Sequence, residues 1–156
     1  MGIAITLKEY LHNHHSRFEV IEHRRTDSAL RTAEAAHVPG DQMVKSVLFG
    51  DDESYLLAVI PATHNVRLRD LAEITGRHLS FISETELGQA FADCEIGALP
   101  PVGSPYGIET LVDARLFQQQ DLYFESGDHC TLLHMSGADF KDLEEESQIG
   151  VFSHHL

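Results

Sequence analysis

Cys94-Glu-Ile-Gly-Ala-Leu-Pro-Pro-Val-Gly-Ser-Pro-Tyr-Gly107 places three glycines and three prolines in fourteen residues. Proline removes a backbone donor and fixes one dihedral, while glycine admits backbone shapes closed to other residues. The segment therefore reads as a shaped loop, not as a helix or a central strand. Such a loop can turn N–H groups toward a carbonyl or an anion, and a rigid turn made only for packing has the same composition.

The pattern on either side supplies elements to hold that loop. Before it, Ser83 and Glu86 spell a capping box for a helix with Leu87, Ala90 and Phe91 on its inner side. After it, residues 108–112 read as a strand, and 113–117 as a turn or one helical turn. Residues 122–125 and 130–135 read as a hairpin about Ser126-Gly127-Asp128, and Ser136 with Asp139 caps a helix carrying Phe140 and Leu143. Residues 144–148 read as an exposed acidic stretch. The tail 147–156 carries too little pattern to assign, and its His154-His155 pair reads as mobile.

Towards the N-terminus, residues 43–49 and 55–60 form a second hairpin across Gly50-Asp51-Asp52-Glu53. The later run is apolar on both faces, as a covered central strand requires. Lys45 is thus a cation inside an apolar strand. It either snorkels to water from a strand end or aims its ammonium into a pocket beside the loop. Residues 3–14 read as a helix and 18–23 as a short strand. Thr26 and Asp27 are candidate caps for a helix with the stripe Ala29, Leu30, Ala33, Ala36. Asn65 is a candidate cap for a helix over 66–75, flanked by Arg67 and Arg69, which form either a phosphate-facing rim or a solvated surface. A short strand at 79–82 follows.

The chain has 156 residues, enough for one domain, 1–156, with a sizeable core. No stretch is long and apolar enough to span a membrane, and the first residues lack the basic lead and apolar run of a secretory signal, so a cytoplasmic location is expected. Eleven basic against 25 acidic residues give a formal charge of −14. That balance argues against a broad nucleic-acid surface and leaves room only for a compact basic patch. His12, His14 and His15 cluster at a helix end without carboxylate or cysteine at ligand spacing, so no metal site is expected. G-x-S-x-G, Walker, H-E-x-x-H and dinucleotide motifs are absent. Cys94 and Cys130 lack C-x-x-C spacing, and His129 next to Cys130 points elsewhere if the two lie on a strand.

Gly97-Ala98-Leu99-Pro100-Pro101-Val102-Gly103 resembles the G-x-x-P-P-x-G signature of the YbaK/prolyl-tRNA synthetase-associated domain family, small aminoacyl-tRNA deacylases. Lys45 matches the lysine that the family carries on the corresponding strand. The order of an early histidine-bearing strand, a small-residue helix and the segment Ser126-Gly127-Asp128-His129 agrees with it over about 16–146. The resemblance implies a single α+β domain with a mixed, curved sheet surrounded by helices. It implies hydrolysis of mischarged tRNA in trans, with a small aminoacyl group and tRNA-Pro as a candidate carrier. Gly97 and Ala98 would meet the oxyanion, and Lys45 would hold the acceptor end. Ile21, His23, Ser46, Pro100, Gly103, Gly127 and His129 would contact substrate. An activated ester needs only an oriented water and a stabilised oxyanion, so no cofactor is implied. The partners implied are aminoacyl-tRNA and a synthetase. Two rival readings are a non-catalytic module that binds aminoacyl-tRNA or a synthetase, and a metal-dependent hydrolase using some of the 11 histidines.

Overall fold

The computed structural model describes residues 2–156. Its strands are β1 (Glu19–Glu22), β2 (Val44–Gly50), β3 (Tyr55–Pro61), β4 (His64–Val66), β5 (Ser80–Phe81), β6 (Glu109–Asp113), β7 (Asp121–Glu125), β8 (Thr131–Ser136), β9 (Gln148–Gly150) and β10 (Ser153–His155). Its helices are α1 (Ile5–Asn13), α2 (Ala29–Ala35), α3 (Leu68–Thr75), α4 (Glu84–Ala90) and α5 (Gly137–Leu143). This is the expected α+β domain, with the mixed sheet divided into ladders. A five-stranded sheet runs β5-β2-β3-β6-β9, a three-stranded one β1-β8-β7, and β10 pairs with β4. One parallel bridge, Met43 to Tyr123, joins the two larger sheets.

The apolar run of β3 sits centrally, antiparallel to β2 and parallel to β6, and is buried from Leu56 onward. Alternation on β2 and β3 then separates two cores. Val44, Leu48, Leu57 and Val59 face Leu7, Leu11, Phe124 and Phe140 on one side. Phe49, Leu56, Ala58 and Ile60 face Leu71 and Phe152 on the other. A third cluster continues past the sheet end, where Ala33 of α2 meets Met43, Ala62 and Leu132.

Ser83 and Ser136 cap their helices as expected, each hydroxyl accepting the N–H three residues on, but the return half of each box is replaced: Glu86 accepts from Tyr55 and Asp139 from the Ser136 hydroxyl. Four further expectations change. Ser28, not Thr26 or Asp27, caps α2 by accepting Arg31 N–H, because Thr26 is drawn inward to Thr32. Asn65 lies in β4, and α3 starts after Arg67 without a side-chain cap. Glu144 is buried, with Oε1 accepting from Ser147, so the acidic stretch is only partly exposed. The tail is structured: β9 extends the large sheet, β10 pairs with β4, and Phe152 between them is fully buried. Its alternation was too short to read before its partners were known.

A buried polar chain fixes α2 to β7. Thr26 and Thr32 hydroxyls are in contact, and Thr32 Oγ1 lies 2.9 Å from both Ser28 O and Glu125 Oε1. One Thr32 proton cannot serve both acceptors. A protonated Glu125 donating to Thr32, which donates to Ser28 O, satisfies the chain. Burial raises the Glu125 carboxyl to about 8, in agreement with that accounting, and raises Glu144 likewise to about 8.

Phe152→Ala should lower stability by about 3–5 kcal/mol in urea unfolding, the cost of emptying a fully buried aromatic site. The folded state holds the Glu125 proton more tightly than the unfolded chain. The resulting stabilisation is full below the ordinary value of 4.5 and is lost as pH rises through about 8. Glu125→Gln, which mimics the neutral carboxyl, should shrink the stability lost between mildly acidic and mildly alkaline pH by on the order of 2–4 kcal/mol. An unchanged decline would mean that the carboxyl is ionised throughout.

Candidate functional site

The shaped loop and the β7–β8 turn are clamped together. His129 Nε2 donates to Ile96 O at 2.7 Å, and Glu95 N–H donates to Gly127 O at 2.7 Å. Since a carbonyl only accepts, Nε2 carries the proton, and the tautomer this selects has its lone pair on Nδ1. Asp128 Oδ1 accepts the N–H groups of Cys130 and Thr131, which fixes the turn that carries His129. At the loop apex Gly97 has φ +87°, and a Cβ there would stand 3.2 Å from His129 Cε1. The structure therefore brings Gly97 and the His129 ring side by side, with little room for a side chain between them.

The rest of the signature builds this apex. Ala98 N–H is already donated to Glu95 O at 3.1 Å, so the expected second oxyanion donor is spent within the loop. Gly97 N–H makes no hydrogen bond among the described residues. Pro100 and Gly103, expected at substrate, are buried. Gly103 is required by packing, since a Cβ would lie 2.4 Å from Ile108 O while its N–H donates to Thr110 Oγ1. Gly127 (φ +118°) leaves space for Ala4, whose Cβ a substituent would meet at 2.7 Å. These three positions shape the site from behind.

Lys45 is engaged elsewhere. On β2 it pairs with Ile60 of β3, and alternation sends it to the sheet face that Met43 shares with α2. Ser46 points the opposite way, with Val44 and Leu48, towards the core that holds Leu99 and Val102. Lys45 Nζ is half-buried and donates to His64 O at 2.8 Å, a contact away from the loop it was expected to flank. Burial lowers its affinity for a proton. Among the described residues no carboxylate approaches this ammonium within 4.0 Å. Ile21 packs against the α2 cluster, on the side of Lys45. His23 Nδ1 donates to Arg24 O at 2.6 Å, leaving a buried Nε2 without a partner. It lines a cavity of about 220 Å³ with Glu22, Arg25, Glu95, Asp128 and Cys130.

One feature of the site was missed in the sequence. Arg24, Arg25 and Arg31 line a cleft of about 360 Å³ with Thr26, Asp27 and His129. The doublet and the arginine one turn into α2 were the available signal, but their convergence on His129 needed the fold. Arg67 and Arg69 are exposed on α3 and its approach. Both cysteines are free; burial pushes the Cys94 thiol up to about 12, which disables it as a nucleophile at neutral pH. No group of three His, Cys, Asp or Glu is placed to hold a metal among the described residues.

With this geometry in place, the likenesses to known proteins take a definite form. The model of the aminoacyl-tRNA editing domain family matches residues 23–143. A proline–tRNA ligase of Geobacillus sp. (strain WCH70) is 26% identical, the match covering 60% of this chain and 19% of the ligase. The chain thus spans about a fifth of that curated relative's length. In the solved structure of hypothetical protein APE2540 the same fold recurs at TM-score 0.85 and 18% identity, covering 96% of this chain and 99% of that one. A proposed trans-editing enzyme for prolyl tRNA synthetase superposes at TM-score 0.83 and 20% identity, covering 97% and 96%.

Gly97→Ala should cost about 1–2 kcal/mol of stability, since it places a side chain at positive φ against the His129 ring. The same change at Gly76 (φ +67°), where a Cβ meets nothing within 4 Å, isolates the backbone part. Urea unfolding of both variants checks this, and equal losses would mean that His129 yields freely.

Proposed function

The chain belongs to the aminoacyl-tRNA editing domain family, and on that premise we propose that it is a cytoplasmic deacylase that hydrolyses the ester of mischarged tRNA in trans. The observation that carries this reading is the unspent N–H of Gly97, an exposed residue that stands beside the His129 ring. Attack of water on the ester carbonyl develops negative charge on its oxygen. A preorganised N–H directed at that oxygen stabilises the transition state without reorganising. The water oxygen bonds to the carbonyl carbon, the ribose oxygen leaves as a hydroxyl, and one proton passes from water to it. The vicinal ribose hydroxyl lies close enough to orient the water. His129 positions the aminoacyl group with its Nδ1 lone pair, Ile21 and His23 contribute to the surrounding wall, and Ser46 supports the loop from the core side. Lys45, cationic and without a carboxylate, attracts the acceptor end.

The kinship with a proline–tRNA ligase supports tRNA-Pro as the carrier and a synthetase as a partner. A small aminoacyl group agrees with the closeness of Gly97 to the His129 ring. The loss of Ala98 as a donor favours, as a second reading, a module that binds aminoacyl-tRNA without turnover.

Incubating catalytic amounts of protein with Ala-, Ser-, Cys- and Pro-tRNA, cognate and mischarged, separates the two. We expect multiple turnovers on one mischarged species, reduced roughly 10- to 100-fold by Lys45→Ala through loss of one charge-assisted contact. Retention of intact aminoacyl-tRNA by the wild type, with no hydrolysis, would establish the binding module.

A further inference from the structure

We propose that the cleft between Arg24, Arg31 and His129 seats phosphodiester groups of the single-stranded RNA acceptor end. This deepens the deacylase reading and rests on its choice of RNA as substrate. Three of the 11 basic side chains of a chain with formal charge −14 converge on this one cleft. Arg25 is committed to Glu95, with two contacts at 2.7 and 3.4 Å. That pair sits on the rim and ties the segment before α2 to the shaped loop. Arg24 and Arg31 are exposed and have no carboxylate within 4.0 Å among the described residues. Asp27 is the one acidic residue in the lining.

A guanidinium fork matches the spacing of two phosphate oxygens and binds them with charge-assisted hydrogen bonds. His129 lines the cleft and also flanks Gly97, so the cleft opens beside the position proposed for the ester. A strand entering over Arg24 and Arg31 would therefore deliver its 3′ end to Gly97. The two arginines read no base, because phosphate contacts set register and carry no sequence information.

The test uses the full chain and a fluorescent, uncharged RNA minihelix ending in CCA, followed by anisotropy between about 20 and about 200 mM salt. Arg24→Gln/Arg31→Gln should weaken binding and make the slope of log affinity against log salt shallower by about 1.4, or about 0.7 per lost single-strand contact. Arg67→Gln/Arg69→Gln should leave the slope unchanged. Hydrolysis of a 3′-aminoacyl-adenosine without phosphate should be equal in wild type and Arg24→Gln/Arg31→Gln, while KM for aminoacyl-tRNA rises. Unchanged minihelix binding in the Arg24/Arg31 variant overturns the proposal, as does loss of synthetase capture with RNA binding intact, which would make the cleft a protein-docking face. The minihelix readout does not depend on turnover. A wild type that binds it through these arginines but hydrolyses nothing would sink the deacylase reading alone.

Discussion

The hydrogen bond from the His129 ring to Ile96 O spans 33 residues of sequence, and the architecture of the site depends on it. With the Glu95-to-Gly127 bond it closes the shaped loop on the β7–β8 turn. A backbone N–H can act as an electrostatic catalyst only if it is already aimed when charge develops. Pro100 and Pro101 restrict the backbone, Gly103 lets it pass close to Ile108, and the two cross-links set where Gly97 stands. The same bond fixes the imidazole tautomer. One interaction therefore determines the place of the Gly97 donor and the face of His129 that remains available to a ligand.

Lys45 is supported by a separate network that reaches the end of the described chain. Its partner carbonyl belongs to His64, whose Nδ1 lies 2.9 Å from Ser153 Oγ. Ser153 in turn donates to Asp113 Oδ2 at 2.7 Å. Burial pushes the Asp113 carboxyl up, but hydrogen bonds from Arg115, Ser153 and Phe152 outweigh it and leave it lowered. Burial, together with nearby Arg115, lowers His64 and favours the neutral ring. With the Ser153 proton engaged by Asp113, His64 must donate from Nδ1, so proton accounting runs in one direction along the chain. β10 thus helps define the strand edge on which the lysine rests, although it lies beyond residues 23–143.

Much of this was legible because local signals and tertiary contacts agree. The β2–β3 hairpin, the serine caps at Ser83 and Ser136, and the glycine-proline loop each follow from residues a few positions apart. The readings that changed depend on partners distant in sequence. Thr26 looked like a cap, but Glu125 offered Thr32 a buried partner and Thr26 followed it inward. Glu144 looked solvated because its neighbours are. The tail looked patternless because three-residue strands have almost no period to detect. Among candidate site residues, Gly97 and His129 were legible as a loop apex and a turn. That Ala98 has a spent N–H, and that Gly103 and Gly127 are glycines for packing reasons, requires knowing what stands beside them.

The charge balance then becomes intelligible. At physiological ionic strength, exposed charges are screened beyond roughly 8 Å, so distant carboxylates contribute little inside a cleft. In the proposed RNA entrance the arginines beside His129 would act locally, while the acidic remainder would lower attraction for RNA at other surfaces. An editing enzyme must inspect many correctly charged tRNAs for each mischarged one, and tight non-specific retention would slow that inspection. On the proposed reading, a small basic entrance on an acidic body would confine attraction to the path that ends at Gly97. Discrimination would then be left to the contacts around the ester, where a transition-state donor and a positioned imidazole would favour one aminoacyl group over another.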